Sequence, residues 1–180
     1  MSEPAQAWTV PEPERAVPPA IADEREMLNS WLEFHRATLV IKCKGLTSEQ
    51  LKERSSPPSN LSLLGLIRHM ADVERGWFRQ VFAAQGVPDL YYTEANPDAD
   101  FVDIAEADAQ QAFETYEAEC EAARQIVAAA PSLDALSAKK TQRGNIISLR
   151  WIMTHMIEEY ARHNGHADLI RERIDGVVGD

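Results

Sequence analysis

The chain reads as an all-α protein, a four-helix bundle with a long crossover between helices 2 and 3. Four stretches carry apolar residues at helical spacing, a connection of roughly 20 residues separates the second from the third, and no stretch alternates apolar and polar as a strand does. Residues 1–21 stand apart. Pro4, Pro11, Pro13, Pro18 and Pro19 crowd that stretch, and proline at such density removes backbone donors and blocks helix. An extended N-terminal arm is expected over 1–21, laid on the body through Trp8 and Val10, with the bundle over 22–180.

The first helix is expected over 23–44. Leu28, Trp31, Leu32 and Leu39 recur on one face, acids open the segment, Lys42 and Lys44 close it, and Gly45 suits the cap. Thr47 with Gln50 three residues on has the form of a capping box, so a short helical turn starts there and ends before Pro57 and Pro58. The second helix, 60–84, puts Leu63, Leu66, Ile67, Met70, Val73, Trp77 and Val81 on one stripe. The segment after it, QGVPDLYYTEANPDADFVD, is long for a bundle connection, where about 2–8 residues is usual, and lets the chain cross the bundle. The third helix, 105–129, steps by three and four through Phe113, Tyr116, Cys120, Ala123 and Val127 and stops before Pro131. A linker with Gly144-Asn145 leads to the fourth, 146–174, whose apolar face holds Leu149, Ile152, Met153, Met156, Tyr160, Ala167 and Ile170, and whose end suits Arg171, Arg173 and Gly176. The tryptophans at 8, 31, 77 and 151 are expected to fill the core.

Composition bounds the chemistry. The 180 residues, 44% hydrophobic and 26% charged, suit one globular domain with its own core. Eighteen Lys and Arg against 29 Asp and Glu leave a net charge of −11, which argues against nucleic acid and anionic lipid as partners. No run approaches the ~20 apolar residues of a membrane span. The N-terminus carries neither a cationic leader nor an apolar h-region, so a cytoplasmic protein is expected. Cys43 and Cys120 are too isolated for a disulfide framework or a CxxC metal site and read as reduced core thiols. A metal site would then be built from histidine and carboxylate.

Three of the five histidines, His155, His163 and His166, fall within 12 residues, with Glu158 and Glu159 among them. On a helix, with His155 at zero, His166 falls near ~20°, Glu159 near ~40° and His163 near ~80°, a flank that overlaps the apolar stripe. Inward imidazole and carboxylate groups are costly unless paired or ligated. At ~1.5 Å rise per residue His155 and His166 stand roughly 16 Å apart and cannot share one ion. The pairs His155/Glu159, Glu159/His163 and His163/His166 can, and Glu159/His163 has the i,i+4 chelating spacing of the HExxH proteins. A third ligand must come from another helix, and His69, in the stripe of helix 2, is the candidate. Two histidines and a glutamate leave zinc, nickel or iron an open position, as catalytic sites do. Without further information a packed core histidine competes with the ligand reading, and His35 is read as such a packed or hydrogen-bonded residue. Asp72 and Arg162 are candidate partners of the ligands, with a solvated surface role as the alternative. Of the 29 acids, Glu159 is the one expected to face inward.

LSLLGLIRHMADVERGWF, HMIEEYARHNGHADLIRERIDG about 80 residues later, and DEREMLNSWLEFHRATL with GLTSEQL upstream together resemble the DinB superfamily, specifically its DUF664 branch, over nearly everything after residue 20. The resemblance implies a four-helix bundle, often dimeric, with a metal held by one residue of helix 2 and two of helix 4. Most members supply two histidines four residues apart from helix 4. Here the first falls on Glu159 and the second on His163, so that His69, Glu159 and His163 match the His/Glu/His variant of the related mycothiol-dependent maleylpyruvate isomerases. His155 and His166 belong to the motif as flanking groups, His166 as the reserve ligand.

The activity implied is that of a thiol-dependent S-transferase: a divalent metal, zinc first and nickel or iron after it, activates a low-molecular-weight thiol of the mycothiol or bacillithiol class toward an electrophile. The partners implied are that thiol, the electrophile and a second copy of the chain. An isomerase of the maleylpyruvate type ranks second, since 180 residues leave no room for the additional C-terminal domain usual in those enzymes. A non-catalytic helical dimer of the stress-response class, whose histidines merely pack, is the third reading.

Overall fold

A computed structural model describes residues 8–179. Residues 1–7 and 180, and with them Pro4 and the start of the expected arm, lie outside the described residues. The described residues form six helices: α1 (Glu24–Cys43), α2 (Ser48–Lys52), α3 (Leu63–Glu74), which continues as a π-helical segment (Arg75–Phe82), α4 (Ala99–Val102), α5 (Ala109–Ala129) and α6 (Leu149–Asp175). The protein is an all-α bundle, and the described residues form isolated bridges but no strand.

The helices begin where a side chain satisfies their first free amides. Asp23 accepts from Glu26, Ser62 from Gly65, Asp108 from Gln111 and Ser148 from Trp151. This is why α3, α5 and α6 start three or four residues later than periodicity alone suggests. The capping box at Thr47 and Gln50 forms with both bonds present, and Gly176 ends α6 at φ 80°, a left-handed conformation that favours glycine.

Polar contacts fix the topology. Glu24 meets Arg150, His35 meets Asn164 and Lys42 meets Asp168, so α1 and α6 run parallel. Glu74 meets Tyr160 and Trp77 meets Trp151, so α3 and α6 are antiparallel. Arg25 binds the Val127 and Ala130 carbonyls and Glu33 binds Arg124, so α5 opposes α1. The long segment between α3 and α5 carries the chain back along the bundle so that these two run the same way.

Leu39, Leu66, Ile67, Met70, Phe78, Leu149, Ile152, Met156 and Tyr160 are fully buried, and each such side chain contributes ~1.5–3 kcal/mol by leaving water. The predicted stripe of helix 2 shifts in its second half. In the π-helical segment the Ala83 amide donates to the Phe78 carbonyl five residues back, which widens the turn. The inward place goes to Phe78, which is buried in the core, while Trp77, Val81 and Phe82 are half-buried. Of the tryptophans expected to fill the core, Trp8 and Trp77 are half-buried against it, and Trp31 and Trp151 are exposed instead. Trp8 lies against Phe113 at 5.4 Å between ring centres and Val10 is buried, which seats the described part of the arm on the bundle. Cys43 and Cys120 are both buried and free. No helix among the described residues is long and apolar enough to cross a membrane.

Candidate metal centre

His69, Glu159 and His163 come together where α3 crosses α6. One ligand atom from each lies within 4.8 Å of the others. Glu159 Oε2 stands 3.4 Å from His163 Nε2, and the His69 and His163 rings meet edge to face with centres 4.8 Å apart. His163 is buried. Burial, with His69 and His166 beside it, pushes its imidazole down to about 3, so the ring is neutral at neutral pH, the form in which histidine binds a metal.

Residues outside the expected set hold the histidines. His69 Nδ1 donates to Asp100 Oδ2 at 2.7 Å, and Phe101 stacks on the His69 ring at 4.7 Å. With Nδ1 committed to a carboxylate, Nε2 carries the free lone pair, the arrangement by which an outer carboxylate orients a ligating histidine. Asp100 and Phe101 belong to α4, within the crossover. Two α3 neighbours of His69 hold that crossover: the Asp72 carboxylate accepts the amides of Leu90, Tyr91 and Tyr92, and Arg68 donates to the Ala99 carbonyl while its guanidinium lies 4.0 Å from the Tyr91 ring centre. Asp72 thus clamps the crossover rather than touching His69, Glu159 or His163. No local pattern in the sequence marks Asp100, since it lies 31 residues from His69 in an aperiodic segment.

On the other flank, His166 Nδ1 faces His163 Nδ1 at 3.4 Å, the nitrogen turned away from Glu159. His155 Nε2 stands 3.5 Å from Glu159 Oε1, its ring stacked on Trp151 and edge-on to Trp77. Arg162 pairs with Glu158 and reaches Glu159 at 3.6 Å. His35 is hydrogen-bonded to the Asn164 amide and contacts Trp31, away from this cluster, as a packed residue would be. The expectation that Glu159 alone among the acids turns inward needs correcting: its side chain is 15% exposed, whereas Glu74, Glu119 and Asp100 are buried. Their burial is made tolerable by Arg36, by Arg75 with Arg79, and by His69, partners on other elements. A groove of about 1130 Å³ between α1, α5 and the arm contains none of the clustered histidines.

Two imidazoles and a carboxylate with a position left open suit a divalent zinc, nickel or iron ion. Asp100→Asn is expected to weaken zinc binding ~10–100-fold, since the His69 ring loses its ionised partner; calorimetric titration of the metal-free chain measures it. Acid is expected to destabilise that metal-free chain. The unfolded chain takes up a proton on His163 below about 6.5 while the folded chain refuses it down to about 3. The contribution is therefore present above 6.5 and lost as pH falls through that window, to be read as a lower urea midpoint at pH 4.5 than at pH 7.

A family model described as mycothiol-S-transferase matches residues 27–176, from the first turns of α1 to the cap of α6. The chain belongs to this family, and with it to the DinB superfamily. A comparison with curated proteins found no match.

Proposed function

We propose that the chain is a metal-dependent thiol S-transferase in which His69, Glu159 and His163 hold a divalent ion, zinc first and nickel or iron after it, and a mycothiol- or bacillithiol-class thiol is transferred to an electrophile. One observation carries the reading: three ligand atoms from two antiparallel helices converge within 4.8 Å, with the far nitrogen of one histidine already committed to a buried carboxylate. A divalent ion bound there lowers the pKa of a thiol that joins it and makes thiolate available at neutral pH. The protein's own thiols are poor substitutes, since both are buried and Cys43 is pushed up to about 12 by burial.

The chain's residues orient and enclose. Asp100 holds the His69 ring in one tautomer, His166 meets the outer nitrogen of His163, and Phe101, carried by the clamped crossover, covers one face of His69. Membership of the mycothiol-S-transferase family supports the thiol as cosubstrate.

The test begins with elemental analysis of protein purified without added metal, expected to give at least one equivalent of divalent ion per chain. The same protein is then incubated with thiols and alkyl halides or epoxides. Adduct formation followed by mass should stop on chelation and return with metal. A chain that carries no metal, and whose thermal midpoint moves with neither chelator nor added ion, is a packed helical protein and ends this reading.

A further inference from the structure

Glu159 presents its two oxygens to two different histidines. Oε2 faces His163 Nε2 at 3.4 Å and Oε1 faces His155 Nε2 at 3.5 Å. The other ring nitrogen, His155 Nδ1, meets Glu158 Oε2 at 3.4 Å, so the two carboxylates flank the imidazole at different nitrogens. His155, Glu158 and Glu159 thus form a second group whose ligand atoms lie within 4.8 Å of one another, and Glu159 is common to both groups. We propose a second divalent-metal position formed by His155, Glu158 and Glu159, with the Glu159 carboxylate bridging it to the position at His69 and His163.

The surroundings suit this role. The His155 ring is held between Trp151, stacked at 4.9 Å, and Trp77, edge-on at 5.0 Å, so its orientation is set before any ion arrives. Arg162 pairs with Oε1 of Glu158 and stands 3.6 Å from Oε2 of Glu159, the oxygen that faces His163, which leaves Oε2 of Glu158 and Oε1 of Glu159 directed at His155. Two carboxylates with one imidazole are a hard, oxygen-rich donor set that accepts zinc or manganese, and paired metals sharing a carboxylate are a recurrent way to hold two reacting groups side by side. Glu158 is exposed and already paired with Arg162, so the second ion binds more weakly than the first.

The proposal rests on the preceding reading for the first position only. The full chain, stripped with chelator and titrated calorimetrically with zinc, is expected to take two equivalents, the second weaker. His155→Ala combined with Glu158→Gln is expected to lose the second and keep the first, and His69→Ala to lose the tight one. Nickel, which quenches indole emission at short range, gives an independent readout: Trp77 and Trp151 should dim with the second equivalent, and that step should vanish in the double variant. A wild-type chain that stops at one equivalent, or a double variant that still takes two, overturns the second position. A His69→Ala chain that keeps the tight equivalent overturns the first instead, so the two failures are distinguishable. Helical circular dichroism confirms that each variant is folded.

Discussion

His163→Ala is expected to strip the chain of its tightly held metal, lowering affinity by more than the ~10–100-fold that loss of an outer partner produces, and to abolish metal-dependent adduct formation with it. The reasons are local. His163 is the one residue of the proposed triad that is buried, and its ring is kept neutral by that burial and by the neighbouring His69 and His166. Without it, His69 and Glu159 remain on different helices, and two ligands do not close a site that needs three. The fold should survive, because α6 keeps Met156, Tyr160, Ala167 and Ile170 in the core. Thermal shift makes the comparison direct: zinc at ~100 times its Kd adds ~2.7 kcal/mol to the wild type, about 5–10 °C for a chain of this length, and the variant should show none of the part owed to the tight position. A His163→Ala chain that purifies with the same tight equivalent would falsify the ligand set.

The bundle was legible in the sequence because its helices are long and their apolar faces regular. Every long helix is where its periodicity puts it, and the errors sit at the starts, where Ser62, Asp108 and Ser148 decide the first turn by capping rather than by pattern. The π-helical segment has no such signature. A five-residue hydrogen bond accompanies the burial of Phe78, and Trp77 and Val81 look equally good for the inward face until the turn widens. The shared flank of His155, Glu159, His163 and His166 follows from the 3.6-residue repeat alone, and His69 stands out because it lies in an apolar stripe. Asp100 does not, since its contact with His69 depends on how the crossover is clamped by Asp72 and Arg68. The buried glutamates escaped for a related reason: Glu74 and Glu119 look like surface acids until the arginines that neutralise them are placed by tertiary packing.

Glu74→Ala is the change expected to cost the fold most. Glu74 is fully buried and accepts from Arg36 Nε at 2.7 Å, from Arg36 Nη2 at 2.6 Å and from the Tyr160 hydroxyl at 2.7 Å, while the Tyr116 hydroxyl lies 3.0 Å from that of Tyr160. The network joins α1, α3, α5 and α6 in one layer. Removing the carboxylate leaves the buried Arg36 with only the exposed side of its charge answered, by Glu33. Breaking a buried pair from one side costs ~3–5 kcal/mol, or about 6–20 °C in thermal midpoint at this chain length. The buried pair is not itself the source of stability, because desolvating both charges offsets most of their attraction. Arg36→Met together with Glu74→Leu should therefore recover much of what Glu74→Ala loses. Tyr160 directly follows Glu159 on α6, so the same layer sets the register in which Glu159 faces His163, and zinc affinity should fall in Glu74→Ala by more than in the double variant. A double variant no more stable than Glu74→Ala would mean that the cost arises from packing around residue 74 and not from an unanswered guanidinium.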